Sequence, residues 1–422
     1  MKRRYWLFLI VGVLLLASFV VFEAVKKYRS YDHKVVVCIP VYGQSLALGE
    51  EAVRKTDFDS LWINYGGRIV TENLDGTYGY FDHSSRLKQQ VKRLLHYDKR
   101  SFELSIYRMA EVLASELGED TLVCVFPGGR GMTTLQDLMK PSAPYKKFMS
   151  EIALASEKAR SRGWEFYVPA VCWMQGESDI ADYPDYDYKE KFRQMYQDMN
   201  ADVKRITHQT SDIRIVSYQA TAITKGDHYK PNHFEALEPR TPEAQMELIR
   251  DDSLIWVSGP TYPYHFVREA IHIDADGQRS IGTLAAESVL GILRGLPRNR
   301  GLLPLSCQIE GSQIRIVFNV PCPPLCFDTV NVRKADNYGF NVVKANDIDI
   351  ISDVRIDAEA VIITCNEPPI GCKLRYGING EYLKGGWEKG SRGNLRDSKK
   401  GIPNWCCLFE STLVEDMIKI KK

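Results

Sequence analysis

The sequence predicts an α/β/α domain built on a parallel sheet, followed by a small all-β, sandwich-like module. Three observations carry this. Apolar runs of strand length recur five times between Val35 and Ser258. Segments with helical periodicity separate them, which implies crossover connections and helices on both faces of a parallel sheet. Beyond residue 300 the texture changes to short strand-like runs divided by Gly, Pro, Asn and Asp.

At 422 residues the chain is long enough for two or three units. It opens on Lys2, Arg3 and Arg4, followed by an uncharged apolar run from Tyr5 to Phe22. As a helix at ~1.5 Å per residue this run spans about 27 Å, close to a hydrocarbon core. A secretory h-region is shorter, about 7–15 residues. Residues 1–30 are therefore expected to be a membrane anchor and connector, with the body outside the cytoplasm. Cleavage of the segment would make the protein secreted instead.

The predicted strands are Val35–Val41, Thr121–Phe126, Phe166–Trp173, Asp212–Ala220 and Leu254–Ser258. They are apolar throughout rather than alternating, as in strands buried on both faces. Between them, Phe192, Met195, Tyr196, Met199, Val203 and Ile206 fall on one face of a helix over Tyr186–Thr207. Ala275–Leu293 shows the same stripe, and Phe102–Leu117 and Tyr145–Ser161 show weaker ones. Helical pattern ends near Gly295, and Leu296–Gly301 reads as a linker. The expected domains are thus 31–297 and 302–422. In the second, Gln313–Asn319, Thr329–Val332 and Asp357–Thr364 are predicted strands.

The charge balance, 55 basic against 54 acidic residues, offers no field for nucleic acid. Ten scattered cysteines in a chain this long are not a disulfide scaffold, and none has zinc-ribbon spacing. Cys38, Cys124 and Cys172 read as buried thiols in strands. Some of those in the last third could pair in an oxidising compartment. No metal and no organic cofactor is expected.

Four motifs follow predicted strands, where a doubly wound sheet forms its sites. Gly43-Gln44-Ser45-Leu46-Ala47 follows the first. A serine on a tight turn at a strand's carboxyl end exposes its hydroxyl and points its N–H into the site. Ala47 breaks the lipase-type Gly-x-Ser-x-Gly pattern. Gly128-Gly129-Arg130-Gly131-Met132-Thr133-Thr134 follows the second, where glycine lets backbone amides approach an oxyanion. Trp173-Met174-Gln175-Gly176-Glu177-Ser178-Asp179 ends the third, and the Gln175 amide is a candidate donor to developing negative charge. After the fifth comes Glu269-Ala270-Ile271-His272. A carboxylate three residues before a histidine can accept from one ring nitrogen, leaving the other for the serine. Asp274 and Asp276 are better placed to start the following helix.

The order of these motifs resembles the SGNH hydrolases, and within them the sialate O-acetylesterases and related carbohydrate acetyl esterases. The resemblance covers about Val35 to Gly295, and Trp-x-Gln-Gly-Glu-Ser-Asp is its most specific string. It implies a flavodoxin-like α/β/α fold and a serine esterase acting on acetylated carbohydrate. Carried onto this chain, it implies Ser45 as nucleophile and His272 as base. Glu269 stands where the family has an aspartate. Ser45, Gly131 (or Gly129) and Gln175 would form the oxyanion hole, with Gln44 and Glu177 as candidate substrate contacts. Arg375-Tyr376-Gly377 and Gly393–Ser398 are similar to the β module at the tail of some bacterial SGNH esterases. An O-acyltransferase would use the same residues. A glycan-binding module without catalysis would need none of them.

Overall fold

The computed structural model describes residues 34–65, 67–72, 74, 102–182, 184–222, 240–269, 271–345, 348–379, 385–387 and 389–415. The expected anchor, Tyr5–Phe22, lies outside them. Among the described residues no helix is long and apolar enough to cross a membrane.

Among the described residues, nine short parallel strands make the first half. They are β1 (Val35–Cys38), β2 (Val41–Gly43), β3 (Ile69–Val70), β4 (Thr121–Cys124), β5 (Pro127–Gly129), β6 (Glu165–Tyr167), β7 (Ala170–Met174), β8 (Arg214–Gln219) and β9 (Ile255–Pro260). Two of the five predicted strands, Val35–Val41 and Phe166–Trp173, are each split in two, and Thr121–Phe126 stops at Cys124 with β5 starting beyond its predicted end. The interruptions fall at or beside Pro40, Pro127 and Pro169. Proline has no N–H for the ladder, so pairing lapses there. The halves remain linked across the break: Ile39 N–H donates to Cys124 (2.8 Å), Val41 N–H to Phe126 (3.0 Å) and Cys172 N–H to Pro40 (3.0 Å).

The two rows, β3-β4-β1-β6 and β5-β2-β7-β8-β9, therefore run on as one bent sheet. Counting each split pair as one strand and β3 as an added edge, the order is 2-1-3-4-5, the flavodoxin-like order. Alternate residues go to opposite faces. Val37, Ile39 and Val41 pack under the helices Ser105–Glu116 and Ala275–Leu293. Val36, Cys38 and Tyr42 pack under Ala143–Ser161, Tyr188–Thr207 and Arg240–Asp251. The expected α/β/α layering is thereby found. Helix starts follow the side-chain chemistry: Ser142, Asp187 and Asp274 each accept backbone N–H bonds at their N-caps.

The last third is antiparallel. One sheet pairs Leu303–Glu310, Gln313–Asn319, Ala360–Cys365 and Ile351–Asp357 in that order. A second pairs Phe340–Val343, Lys373–Tyr376 and Phe409–Thr412. Thr329–Val332 is a turn, not the predicted strand. Asp328 Oδ1 accepts from Val330 N (2.9 Å) and Asn331 N (2.8 Å), curling the chain before any ladder can form. All ten cysteines are free thiols.

The β module is not loosely tethered. Leu303 belongs to the core of the α/β domain, and Met246 of that domain belongs to the core of the module. Gln219, at the carboxyl end of β8, donates to Pro242 (2.8 Å) and Leu408 (2.9 Å) and accepts from the Leu408 N–H (2.8 Å). Tyr262, just past β9, donates to the Cys406 carbonyl (3.0 Å). These clips place the module on the carboxyl-end side of the sheet, the side where such folds form their sites.

Candidate active site

The site begins at β2. Gly43 is hemmed in by both neighbours: a Cβ there would lie 2.0 Å from the Met174 carbonyl oxygen, and one on Gly129 would lie 1.8 Å from that of Gly43. Only glycine lets the three strand ends close up. Past Gly43 the chain turns at Gln44 into a single 3-10 turn, Ser45–Leu48, ended by Gly49 at φ 65°. Ser45 is thus delivered at the sheet's carboxyl edge. Its Oγ lies 2.8 Å from His272 Nε2.

His272 comes from a tight hairpin ahead of the helix Ala275–Leu293. Val267 N–H donates to the His272 carbonyl (2.7 Å), and Asp274 N–H to that of His265 (2.8 Å). On the other side of the ring, His272 Nδ1 lies 3.0 Å from Glu51 Oε2. With the proton on Nδ1, the ring donates to Glu51 and accepts from the serine hydroxyl.

The carboxylate at the imidazole is therefore that of Glu51, where Glu269 was expected. Glu269 closes the short turn Val267–Glu269, and its side chain lies outside the described residues. Glu51 belongs to Ser45's own loop and was missed. It adopts φ 65°, a left-handed conformation that is rare for glutamate. That conformation folds the loop back, with the Glu50 N–H bonded to the Ser45 carbonyl (3.1 Å). Arg268, also left-handed at φ 54°, meets the other Glu51 oxygen at 3.4 Å. The only hint in the sequence was a Glu-Glu pair directly after Gly49.

Gly131 packs against the serine: a Cβ on it would lie 3.5 Å from Ser45 Cβ. Gly129, the alternative, is the strand end wedged on Gly43. Gln175 is brought close but faces away from chemistry. It is fully buried, its Nε2 donates to the Thr133 carbonyl (3.2 Å) and to Asp179, and its Oε1 accepts from Tyr188 (3.0 Å). Both amide protons are engaged, so the expected oxyanion donor is a brace for the Gly131 loop. Asp179 completes that brace by accepting from the Leu135 N–H (2.8 Å) and from Tyr186.

Gln44 and Glu177, the candidate substrate contacts, are scaffold too. Gln44 Oε1 accepts from Gly176 N (3.3 Å) and Ser178 N (3.2 Å). Glu177 is buried and accepts from the Tyr218 hydroxyl (2.5 Å). A serine, an imidazole and a carboxylate in series, beside a glycine loop, is an arrangement that can deprotonate a hydroxyl and run acyl transfer. Among the described residues, no group of three or more His, Cys, Asp and Glu could hold a metal ion.

Residues 100–291 match the family model described as carbohydrate esterase, sialic acid-specific acetylesterase. This segment, the greater part of the α/β domain, is similar to that family. The matched segment holds Gly131, Gln175 and His272, while Ser45 and Glu51 lie ahead of it. Among solved structures, a carbohydrate acetylesterase from Xanthomonas citri is similar with a TM-score of 0.58 at 14% identity, over 89% of this chain and 80% of that one. At that identity the likeness is one of fold, and it extends through both halves of the chain. A protein from Arabidopsis thaliana is similar with a TM-score of 0.42 at 16% identity, over 60% of this chain and 98% of its own. No curated protein sequence matches this one.

Two carboxylates under the candidate site are pushed out of their ordinary range by burial. Glu177 rises to about 7, against the opposing hydrogen bond from Tyr218. Asp179 rises to about 6, against the bonds from Tyr186 and Gln175. A polar cavity of about 550 Å³ lies beyond Asp179, lined by Tyr186, Arg240 and Glu247 among others; Ser45, Gly131 and His272 are not in its lining. The raised acids have a consequence for stability. Native Glu177 holds its proton to a higher pH than the unfolded chain does, so stability falls as pH rises from the ordinary carboxylate range to about 7. Glu177→Gln removes this titration and leaves an acceptor for Tyr218. In denaturant unfolding, the stability lost between about pH 5 and pH 8 should shrink by roughly 2–3 kcal/mol in the variant. An unchanged pH dependence would show that Glu177 is not the group responsible.

Proposed function

We propose that this esterase removes O-acetyl groups from carbohydrate, with Ser45 as nucleophile, His272 as general base and acid, and Glu51 orienting the imidazole. The observation that carries the reading is the continuous series Ser45 Oγ–His272 Nε2 at 2.8 Å and His272 Nδ1–Glu51 Oε2 at 3.0 Å, set beside Gly131. The family description, with its sialic acid-specific acetylesterases, supports acetylated sugar as the substrate class.

In this mechanism Ser45 Oγ attacks the acetyl carbonyl carbon as His272 Nε2 takes its proton. The backbone N–H groups of Ser45 and Gly131 hold the oxyanion. The imidazolium is steadied by Glu51 and returns the proton to the sugar oxygen as the C–O bond breaks. Water then attacks the acetyl-serine through the same histidine, releasing acetate. One oxyanion donor is typically worth roughly 3 kcal/mol of barrier.

Tyr5–Phe22 supports a second part of the proposal, that the body is held outside the cytoplasm by an N-terminal anchor. Protease added to intact cells should digest the body and spare a cytoplasmic control; a protected body would reverse the assigned side.

Release of acetate from acetylated oligosaccharides tests the chemistry. The wild type should turn over, and Ser45→Ala should lose at least about 10³-fold in kcat while melting at the wild-type temperature. A folded alanine variant that keeps most activity would remove Ser45 from the mechanism. Transfer of acetyl to an added sugar in place of release to water would make the protein an acyltransferase. Glycan binding without either reaction would make it a binding module.

A further inference from the structure

The β module does more than cap the sheet: it reaches the hairpin that carries the catalytic histidine. Gly385 and Gly386 lie flat on that hairpin's stem. A Cβ on Gly385 would lie 3.1 Å from Phe266 Cβ, and one on Gly386 would lie 2.6 Å from the Tyr262 carbonyl oxygen. The turn is closed by the Gly390 N–H bonding to the Gly385 carbonyl (2.8 Å). It presents Trp387, half-buried, to the exposed ring of His265, with ring centroids 4.5 Å apart.

The hairpin places this pair relative to the chemistry. Phe266 bridges Ile273, and the flanking hydrogen bonds pair His265 with Asp274 and Val267 with His272. His265 and His272 are then diagonal neighbours on one face, roughly 7–8 Å apart in an antiparallel pair. The Trp387 and His265 rings are inclined at 52°, so they form an open corner and not a closed stack.

The chemistry of that corner suits a sugar. An indole face packs against the C–H face of a pyranose, and its N–H, with the imidazole nitrogens, offers hydrogen bonds to hydroxyls. Its distance from His272 suits the sugar next to the one that bears the acetyl group. The two close-packed glycines fix the turn before any ligand arrives, which lowers the ordering cost of binding.

We propose that Trp387 and His265 form a second sugar position, lent to the active site by the β module, so that the preferred substrates are O-acetylated oligosaccharides rather than monosaccharides. This rests on the carbohydrate esterase reading given above. It assigns the module a part in specificity, which a purely shielding module would lack.

The test uses the full chain with Trp387→Ala and Trp387→Phe, and two probes: acetylated methyl xyloside and acetylated xylotetraose. In the wild type, kcat/KM should favour the tetraose. In Trp387→Ala the ratio of tetraose to methyl xyloside should fall at least fivefold, through KM on the tetraose, and Trp387→Phe should restore it to within about twofold. An unchanged ratio in Trp387→Ala overturns the subsite. Equal losses on both probes also overturn it, since they mark Trp387 as a structural contact only. A wild type with no preference for the tetraose does the same. Failure of the wild type to release acetate from either probe overturns the subsite for these sugars; the same failure on acetylated sialosides sinks the carbohydrate reading itself.

Discussion

Three strand ends meet at Gly43, and the geometry of the site hangs from that meeting. Gly129 sits against one side of it and Met174 against the other, at distances that leave no room for a side chain. A methyl group at either glycine would wedge the strands apart. The loops that leave these ends carry Ser45, Gly131 and the Gln175 brace, so the same wedge would misalign Ser45 and the Gly131 loop together. Interiors packed at crystal-like density yield little to such a change. The site is therefore set by backbone contact first and by side-chain chemistry second.

The supporting shell is rich in buried polar groups. Gln44, Gln175, Glu177, Asp179 and Gln245 are all buried and all hydrogen-bonded. Gln245 Nε2 donates to the Gln175 carbonyl (2.7 Å), while its Oε1 accepts from the Ala220 N–H (2.8 Å), tying β7's end to β8's. Such networks hold one arrangement firmly when every member is satisfied, and are costly when one is not. The expense here is visible in two carboxyls driven upward by burial. The outer side of the site is built differently, from a module that clips onto Gln219 and Tyr262 and borders the His272 hairpin.

The layered fold was legible because strands buried on both faces leave continuous apolar runs, and their helices leave stripes. Where those strands split was less so, since a proline in a strand signals a lapse in pairing only once its neighbours are known. Thr329–Val332 had strand-like residues but lost to the local pull of Asp328. Within the site, Ser45, Gly131 and His272 could be read because each follows a strand. Glu51 could not. Its approach to His272 depends on a left-handed glutamate, which no periodicity announces. Gln175, Gln44 and Glu177 were found as important positions, but their direction was misjudged, because spacing along a chain does not say which way a loop amide or carboxylate faces.

The central claim is that the carboxylate acting on His272 comes from the nucleophile's own loop. Comparing Glu51→Gln with Glu269→Gln, by kcat on one acetyl ester, tests it most directly. Glu51→Gln should lower kcat by about 10²-fold or more, some 2.7 kcal/mol of barrier, with the fold intact. Glu269→Gln should cost less than about tenfold, or 1.4 kcal/mol. A large loss for Glu269→Gln with a small one for Glu51→Gln would contradict the account, and small losses for both would leave only a serine–histidine pair.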